Sequence, residues 1–339
     1  MSGGIVYKMT GTLFLLLLIC LRAFPQDNNY PVRIMFYNVE NLFDIYDDSL
    51  TQDDEFLPSG LRRWNISRYR RKINSLCKTI IAAGEWEPPA VVALCEIENR
   101  GVIEDLAWRT NLSKFRYRVI HEDSPDERGI DVCLIYREDI AVVTGYEYLN
   151  PFGPGDEFLT RSVLYTRLLV SSDTIHLFVN HWPSRRGGVL AGEARRIRLA
   201  ELVRERIDSV AGVQDDAKII IMGDFNATPD DQVIRIVTGK TGTGPAIVNL
   251  SGTEPENSGT YRYRGIWETI DQVMVSDALL KGCKGLYTGH DMCRVFRPGF
   301  LLIKDPQYPG LTPFPTYSGY RYQGGYSDHL PVLLDLRSR

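Results

Sequence analysis

Three stretches of the chain are apolar almost without interruption: "PAVVALCEIEN" (residues 89–99), "TIHLFVNHW" (174–182) and "AKIIIMGDFNATP" (217–229). A strand with one wet face alternates apolar and polar side chains, whereas a strand apolar at successive positions needs cover on both faces. The chain therefore has to build layers around these strands. Each run also stops on side chains able to do chemistry: Glu96, His181, and Asp224 followed by Asn226.

The remaining patterns supply the layers. "PVRIMFYNVENLFD" reads as a strand running into a loop at Asn38. "NISRYRRKINSLCKTIIAAG" predicts a helix with Ile66, Tyr69, Ile73, Leu76 and Ile80 on one face and a stop at Gly84. Strands are expected in "GIDVCLIYRED" and "IAVVTGYEYL", and a hairpin in 161–182 turning at Ser171 to Asp173. "GEARRIRLAELVRERIDSV" (192–210) is an amphipathic helix carried by Ile197, Ala200, Leu202, Val203 and Ile207. The strand at 217–229 is expected to stop at Gly223, and further strands fall at 259–264, 269–276 and 330–336. Strands outnumber helices, and helices separate groups of strands, which suits two packed sheets flanked by helices.

Lys8 followed by "LFLLLLICL" reads as a secretory leader, too short to span a bilayer, cleaved between Ala23 and Asp27. The domain expected is then 27–339, secreted or periplasmic, with lipid attachment at Cys20 a weaker option because Ile19 and Leu21 suit a lipoprotein signal poorly. A formal net charge of -4 argues against attachment to DNA by bulk charge, although a local basic patch could still bind phosphate. Beyond Cys20 the cysteines are odd in number, so a complete disulfide framework within the chain is impossible. Cys95 and Cys133 sit in apolar runs as buried thiols, Cys283 and Cys293 could pair, and no spacing suggests zinc.

Asn38, Glu96, His181, Asp224 with Asn226, Asp271, and Asp328 with His329 all lie at or just past apolar runs. Strands entering a sheet together bring such ends to one rim, where loops carry function. Glu96, Asp224, Asp271 and Asp328 on one rim would repel unless a cation neutralised them, and oxygen ligands suit Mg²⁺ or Mn²⁺. Taken singly, each has a plainer reading: Asn38 a turn residue, Glu96 or Asp328 a helix cap, His329 a surface histidine, His181 a core one.

The motifs "YNVENLFD", "ALCEIEN", "RGIDVCLIY", "VNHWPSR", "MGDFNATP", "ETIDQVMVS" and "YSDHLPV", in this order, resemble the endonuclease/exonuclease/phosphatase superfamily from about residue 32 to the C-terminus. The resemblance implies an α/β (α+β) fold, a four-layer αββα sandwich of two mixed sheets, and in-line attack of water on a phosphorus ester. It also implies roles: Glu96 as main metal ligand with Asn38 beside it, Glu40 supporting, and Asp328 near the metal. Asp224 would orient or deprotonate the water, Asn226 hold a phosphate oxygen, and His329, oriented by Asp271, contact the phosphate. His181 matches the second histidine of the deoxyribonuclease and sphingomyelinase branches, which protonates the leaving oxygen or binds phosphate. The apurinic branch carries a tyrosine system there, which puts an abasic-site repair role in doubt. Asp131 could be the carboxylate that holds His181, and Arg161 either adds charge to the rim or is a solvated surface residue.

For the substrate, Arg185 and Arg186 beside His181 could meet a second phosphate, and Tyr317, Tyr320, Tyr322 and Tyr326 either pack or stack on a base, sugar or headgroup. The basic clusters "LRRW" and "RYRRK" read as solvated faces. A secreted nuclease or phosphodiesterase, with nucleic acid as its partner, is the favoured reading. A phospholipase C or sphingomyelinase, or a phosphatase of inositol or sugar phosphates, is the alternative. The lipid reading calls for an exposed apolar hairpin, and the sequence shows no obvious one. A non-catalytic binding protein comes last, because every expected position is filled.

Overall fold

The computed structural model describes residues 31–339 apart from 86, 153–158, 186–188, 240–243, 253–257 and 283, and leaves the side chains of 189–191 aside. The leader, Cys20, Arg186 and any Cys283–Cys293 pair lie outside the described residues.

The continuous apolar runs are inner strands of two sheets. The strands are β1 (Val32–Leu42), β2 (Val91–Ile97), β3 (Tyr117–Ile120), β4 (Asp131–Arg137), β5 (Ala141–Leu149), β6 (Val163–Val170), β7 (Asp173–His181), β8 (Lys218–Asp224) and β9 (Ile247–Asn249). There follow β10 (Tyr261–Tyr263), β11 (Ile266–Glu268), β12 (Asp271–Ser276), β13 (Leu286–Tyr287), β14 (Cys293–Val295), β15 (Leu302–Lys304), β16 (Leu311–Pro313), β17 (Tyr317–Ser318), β18 (Arg321–Tyr322) and β19 (Val332–Ser338). One sheet has the order β13-β19-β1-β2-β4-β3 with β14 also on β19, and the other β5-β6-β7-β8-β12-β9. β1 runs parallel to β2 and β7 parallel to β8, while the other ladders are antiparallel.

Each parallel pair needs a crossover, and a helix makes it: α1 (Ile66–Gly84) between β1 and β2, α3 (Val189–Val213) between β7 and β8. Phe36, Ala93, Cys95 and Leu134 of the first sheet meet Leu164, Leu177, Val179, Ile220 and Val273 of the second in the central core. The alternate residues Met35, Tyr37, Val92 and Leu94 face outward onto Leu76 and Ile80 of α1 and Leu106 of α2 (Arg100–Trp108). On the far side Phe178, Ile219 and Ile221 lie under Leu199, Val203 and Ile207 of α3 and Ile234 of α4 (Gln232–Thr238). The layers are therefore helix, sheet, sheet, helix. Each fully buried aliphatic side chain contributes about 1.5–3 kcal/mol, which is why two-faced strands lie at the centre. Among the described residues no helix is long and apolar enough to cross a membrane.

Four sequence expectations change. β1 does not end at Asn38 but continues to Leu42, its register shifted by a bulge in which Glu40 (φ 53°) and Asn41 (φ 55°) are left-handed. β8 passes through Gly223 to Asp224; the glycine is there for close approach, since an added Cβ would lie 2.3 Å from the Asn180 carbonyl oxygen. Ile66 is 42 % exposed, because the first turn after the Asn65 cap projects past the sheet. Leu202, expected on the apolar side of α3, is only half-buried and outside the core that Leu199, Val203 and Ile207 join, whereas α1 does stop at Gly84.

Candidate active site

The ends of the two parallel pairs converge. His181 lies opposite Asp224 in the β7–β8 register, and Asp224 opposite Asp271 in the β8–β12 register, so three expected residues sit side by side. From the other sheet, the bulges that follow Asn38 and Cys95 turn Asn38 and Glu96 (φ 63°) toward them. Left-handed backbone at a non-glycine residue costs about 1–3 kcal/mol, and here it recurs at Glu40, Asn41, Glu96 and Asn226 (φ 47°). Four of the nine such residues among the described ones therefore belong to the site's own turns.

The side chains connect. The Asn38 amide donates to Glu96 Oε1 at 3.1 Å and to Asp224 Oδ2 at 3.0 Å. Asp224 Oδ1 accepts from the Asn226 backbone N–H at 2.9 Å, and the Asn226 side chain donates to the Trp182 carbonyl at 2.9 Å. His329 Nδ1 is 2.7 Å from Asp271 Oδ2, leaving Nε2 to face Asp224 Oδ2 at 3.8 Å. Ser327 ties the approach to His329 down, donating to the Asn38 carbonyl at 2.7 Å and accepting from the His329 N–H at 3.1 Å. Tyr261 stacks on His329 with ring centroids 4.8 Å apart and bridges to it through the backbone.

The two histidines are in opposite states. Burial works against a charge on His329, but Asp271, aided by Asp224 and Asp328, outweighs it and holds the imidazolium well above its ordinary range. For His181 burial comes first and the Arg161 guanidinium second, and both push it far below. Burial, then Asp271, lifts Asp224 to about 7. Burial also raises Asp328, and Glu96 adds to it.

These carboxyl groups suit a hard divalent cation: the donors are oxygens, and the crowding that lifts Asp224 and Asp328 is what such a cation relieves. Asp224, Asp271 and His329 also offer ligand atoms within 4.8 Å of one another, but the histidine–Asp271 bond already occupies that group. Asn38 Oδ1 accepts from the Glu40 N–H at 3.0 Å, which fixes the amide and leaves its second lone pair for a cation.

Other expected residues are placed differently. Glu40 is not free to support a metal: its oxygens accept from the Thr316 and Tyr317 N–H groups at 2.5 and 3.0 Å, and burial, then Asp328, lifts it to about 7. Asp131 does not hold His181; it lies 3.2 Å from His121, across the β4 end. Arg161 is no solvated arginine but is 6 % exposed, with Nη2 3.1 Å from His181 Nε2. Arg185 is already spent on the Asn226 carbonyl (3.1 Å), Asp231 (3.1 Å) and Glu268 (3.7 Å), so it straps loops together. Tyr326 packs between Phe300 and Phe314 and accepts from Lys78 Nζ at 3.0 Å. Of the "LRRW" and "RYRRK" arginines, Arg63, Arg70 and Arg71 are exposed as expected, but Arg62 lies over Tyr317 and Tyr320, and Arg68 over Tyr322.

Sequence reasoning missed several groups. Asp126 holds Arg161 at 2.9 Å, and no periodicity marks it. Lys72 was legible, since it falls three residues after Tyr69 and four before Leu76 on the apolar stripe of α1. It is buried, donates to Thr316 Oγ1 and to the Tyr326 carbonyl, and is pushed by burial down to about 8. An apolar hairpin is also present: beyond Tyr261, the β10–β11 tip exposes 51 % of Tyr263 and 68 % of Ile266.

A family model described as "Endonuclease/Exonuclease/phosphatase family" matches residues 33–338. No curated protein matches the chain. Among solved structures, a mannosyl-6-phosphatase of Bacteroides thetaiotaomicron is similar at a TM-score of 0.58 and 14% identity, over 90% of this chain and 99% of that one. D. rerio TDP2 complexed with a single-strand DNA product is similar at 0.55 and 15% identity, over 90% and 98%. The human Nocturnin catalytic domain with bound sulfate reaches 0.53 at 16% identity, over 91% and 95%. Those likenesses carry the fold, and the family match spans nearly the whole described chain: this protein belongs to the endonuclease/exonuclease/phosphatase family of phosphoester hydrolases.

Proposed function

We propose that the chain is a secreted, Mg²⁺- or Mn²⁺-dependent phosphodiesterase, a nuclease, that cleaves by in-line attack of water. The observation that carries this is the placement of Asp224 between the Asn38 amide and a charged His329–Asp271 pair. Glu96, with Asn38 beside it and Asp328 near, would hold the cation, which supplies charge to the phosphoryl oxygens when bound. Asp224, once ionised, orients the water and takes its proton. His329, kept charged by Asp271, donates to a phosphoryl oxygen, and Asn226 offers its amide to another. His181, neutral and with Nε2 receiving a hydrogen bond from Arg161, has no proton to give from that nitrogen, so its side of the site draws its charge from Arg161. Residues 1–26 act as the leader and 27–339 as one domain.

Nucleic acid is favoured by the Arg62–Tyr317–Tyr320 and Arg68–Tyr322 stacks flanking the segment that leads to His329, and by the single-strand DNA product seen with the similar D. rerio TDP2. The exposed Tyr263–Ile266 tip favours a second reading, a phospholipid diesterase. The mature protein with Mg²⁺ or Mn²⁺ is tested on plasmid DNA, RNA, sphingomyelin, inositol phosphates and bis-p-nitrophenyl phosphate. Cleavage that chelator abolishes is expected. If every substrate stays intact, the reading fails; preference for sphingomyelin over both nucleic acids moves it to the second.

A further inference from the structure

We propose that Arg161 is the positioning residue that holds His181 and sets a fixed positive charge on that side of the site, and that Asp126 in turn aims Arg161. The proposal rests on the phosphodiesterase reading. His181 Nε2 faces the reacting space, 3.8 Å from Glu96 Oε1 and 3.9 Å from Asp224 Oδ2. Arg161 Nη2 lies one hydrogen-bond length from that same nitrogen, at 3.1 Å, and also donates to the Trp182 carbonyl at 3.1 Å. The guanidinium tip therefore sits directly behind the His181 edge that faces Glu96 and Asp224.

Hydrogen-bond roles at that contact are forced. A guanidinium only donates, so Nε2 accepts and the ring proton sits on Nδ1. His181 then has no proton to give from the edge that faces Glu96, in keeping with its depressed pKa. The permanent cation of the pair is Arg161.

A buried guanidinium needs an anion, and Asp126 provides it. Asp126 Oδ2 accepts from Arg161 Nη1 at 2.9 Å, both side chains being 7 % exposed. Asp126 is itself fixed, Oδ1 accepting from the Arg128 N–H at 3.0 Å. Arg161 Nε has no hydrogen-bond partner among the described residues. Anchored on one side by Asp126, the fork spends both N–H groups of its other nitrogen on His181 and the Trp182 carbonyl, which holds the imidazole ring in place beside a fixed charge.

The test uses the full-length mature protein with Mn²⁺ and bis-p-nitrophenyl phosphate. Arg161→Ala should lower kcat by about 10²-fold, as for loss of one preorganised donor, and added guanidinium should restore part of it while urea does not. Asp126→Asn keeps an acceptor but loses the charge, and should lower kcat by roughly tenfold with KM nearly unchanged. Arg161→Lys serves if the alanine variant does not fold; it should stay well below wild type, because an ammonium cannot bridge two acceptors in the same plane. Folded variants with wild-type kcat, or losses that track melting temperature with no guanidinium rescue, overturn the assignment alone. A wild-type protein inert on every phosphoester overturns the hydrolase reading and this assignment with it.

Discussion

Asp224 bears the heaviest demand of any side chain in the site, and its replacement is correspondingly informative. Asp224→Asn should reduce turnover by about 10²–10⁴-fold while the melting temperature stays near that of the parent. A loss of folding equal to the loss of turnover would make Asp224 a structural group. Acidity offers a second check. Burial holds Asp224 and Glu40 near about 7 and Glu98 near about 8, all above the ordinary carboxylate range. A carboxyl group raised in this way favours the folded state at low pH, and that contribution is lost as pH rises through the folded value. Melting temperature of the chelated protein should therefore fall between about pH 5 and pH 8, and the gain on adding Mg²⁺ should be largest at the upper end. A flat profile with chelator would contradict the crowding. The residues legible in the sequence were those that flank an apolar run: Asn38, Glu96, His181, Asp224, Asp271 and His329. Asp126 and Tyr261 reach the site from segments with no such marker, so only the folded chain reveals them.

Longer elements were readable and short ones were not. α1, β2, β6, β7, α3 and β8 carry enough residues for a period to appear, and apart from Ile66 and Leu202 their cores match the expected faces. β10, β11, β15 and β16 have three residues each, too few to show a period. β1 was cut short because "YNVEN" reads as a turn, and its left-handed pair does bend the strand without ending it. Gly223 was misread for the same reason, as a stop rather than as clearance between β7 and β8. Gly223→Ala should force the Asn180 carbonyl aside, destabilise the protein by about 1–3 kcal/mol and lower kcat by moving Asp224. Denaturant unfolding and turnover on the same sample decide it, since undisturbed kcat would mean the strands can part without moving the carboxylate. α1 carries a further test. Lys72→Met removes the buried cation facing Glu40 and should cost about 3–5 kcal/mol. Because Glu40 can take up a proton instead, the loss should be smaller at pH 6 than at pH 8, and equal losses would show that Lys72 is held for its backbone contacts alone.

The whole molecule places one half of the site on each sheet, Asn38 and Glu96 on the first and His181, Asp224 and Asp271 on the second. The layered core was legible because two-faced strands allow little else; the convergence of their ends was inferred from motif order, since single residues had plainer readings. With both sheets required, a denaturant titration should show turnover lost together with the fluorescence of buried Trp64 and Trp182, one in each outer core, and activity surviving that loss would mean that the sheets unfold separately. The closing strand adds something about time. β19 pairs with β1, and His329 stands just before it. The pairing of β19 with β1 thus joins segments far apart in the sequence, and the charged histidine comes with the later one. During synthesis the growing polypeptide therefore carries Asn38, Glu96 and Asp224 without a complete site, and a hydrolase of phosphoesters stays silent beside the RNA that encodes it until the segment bearing His329 has docked.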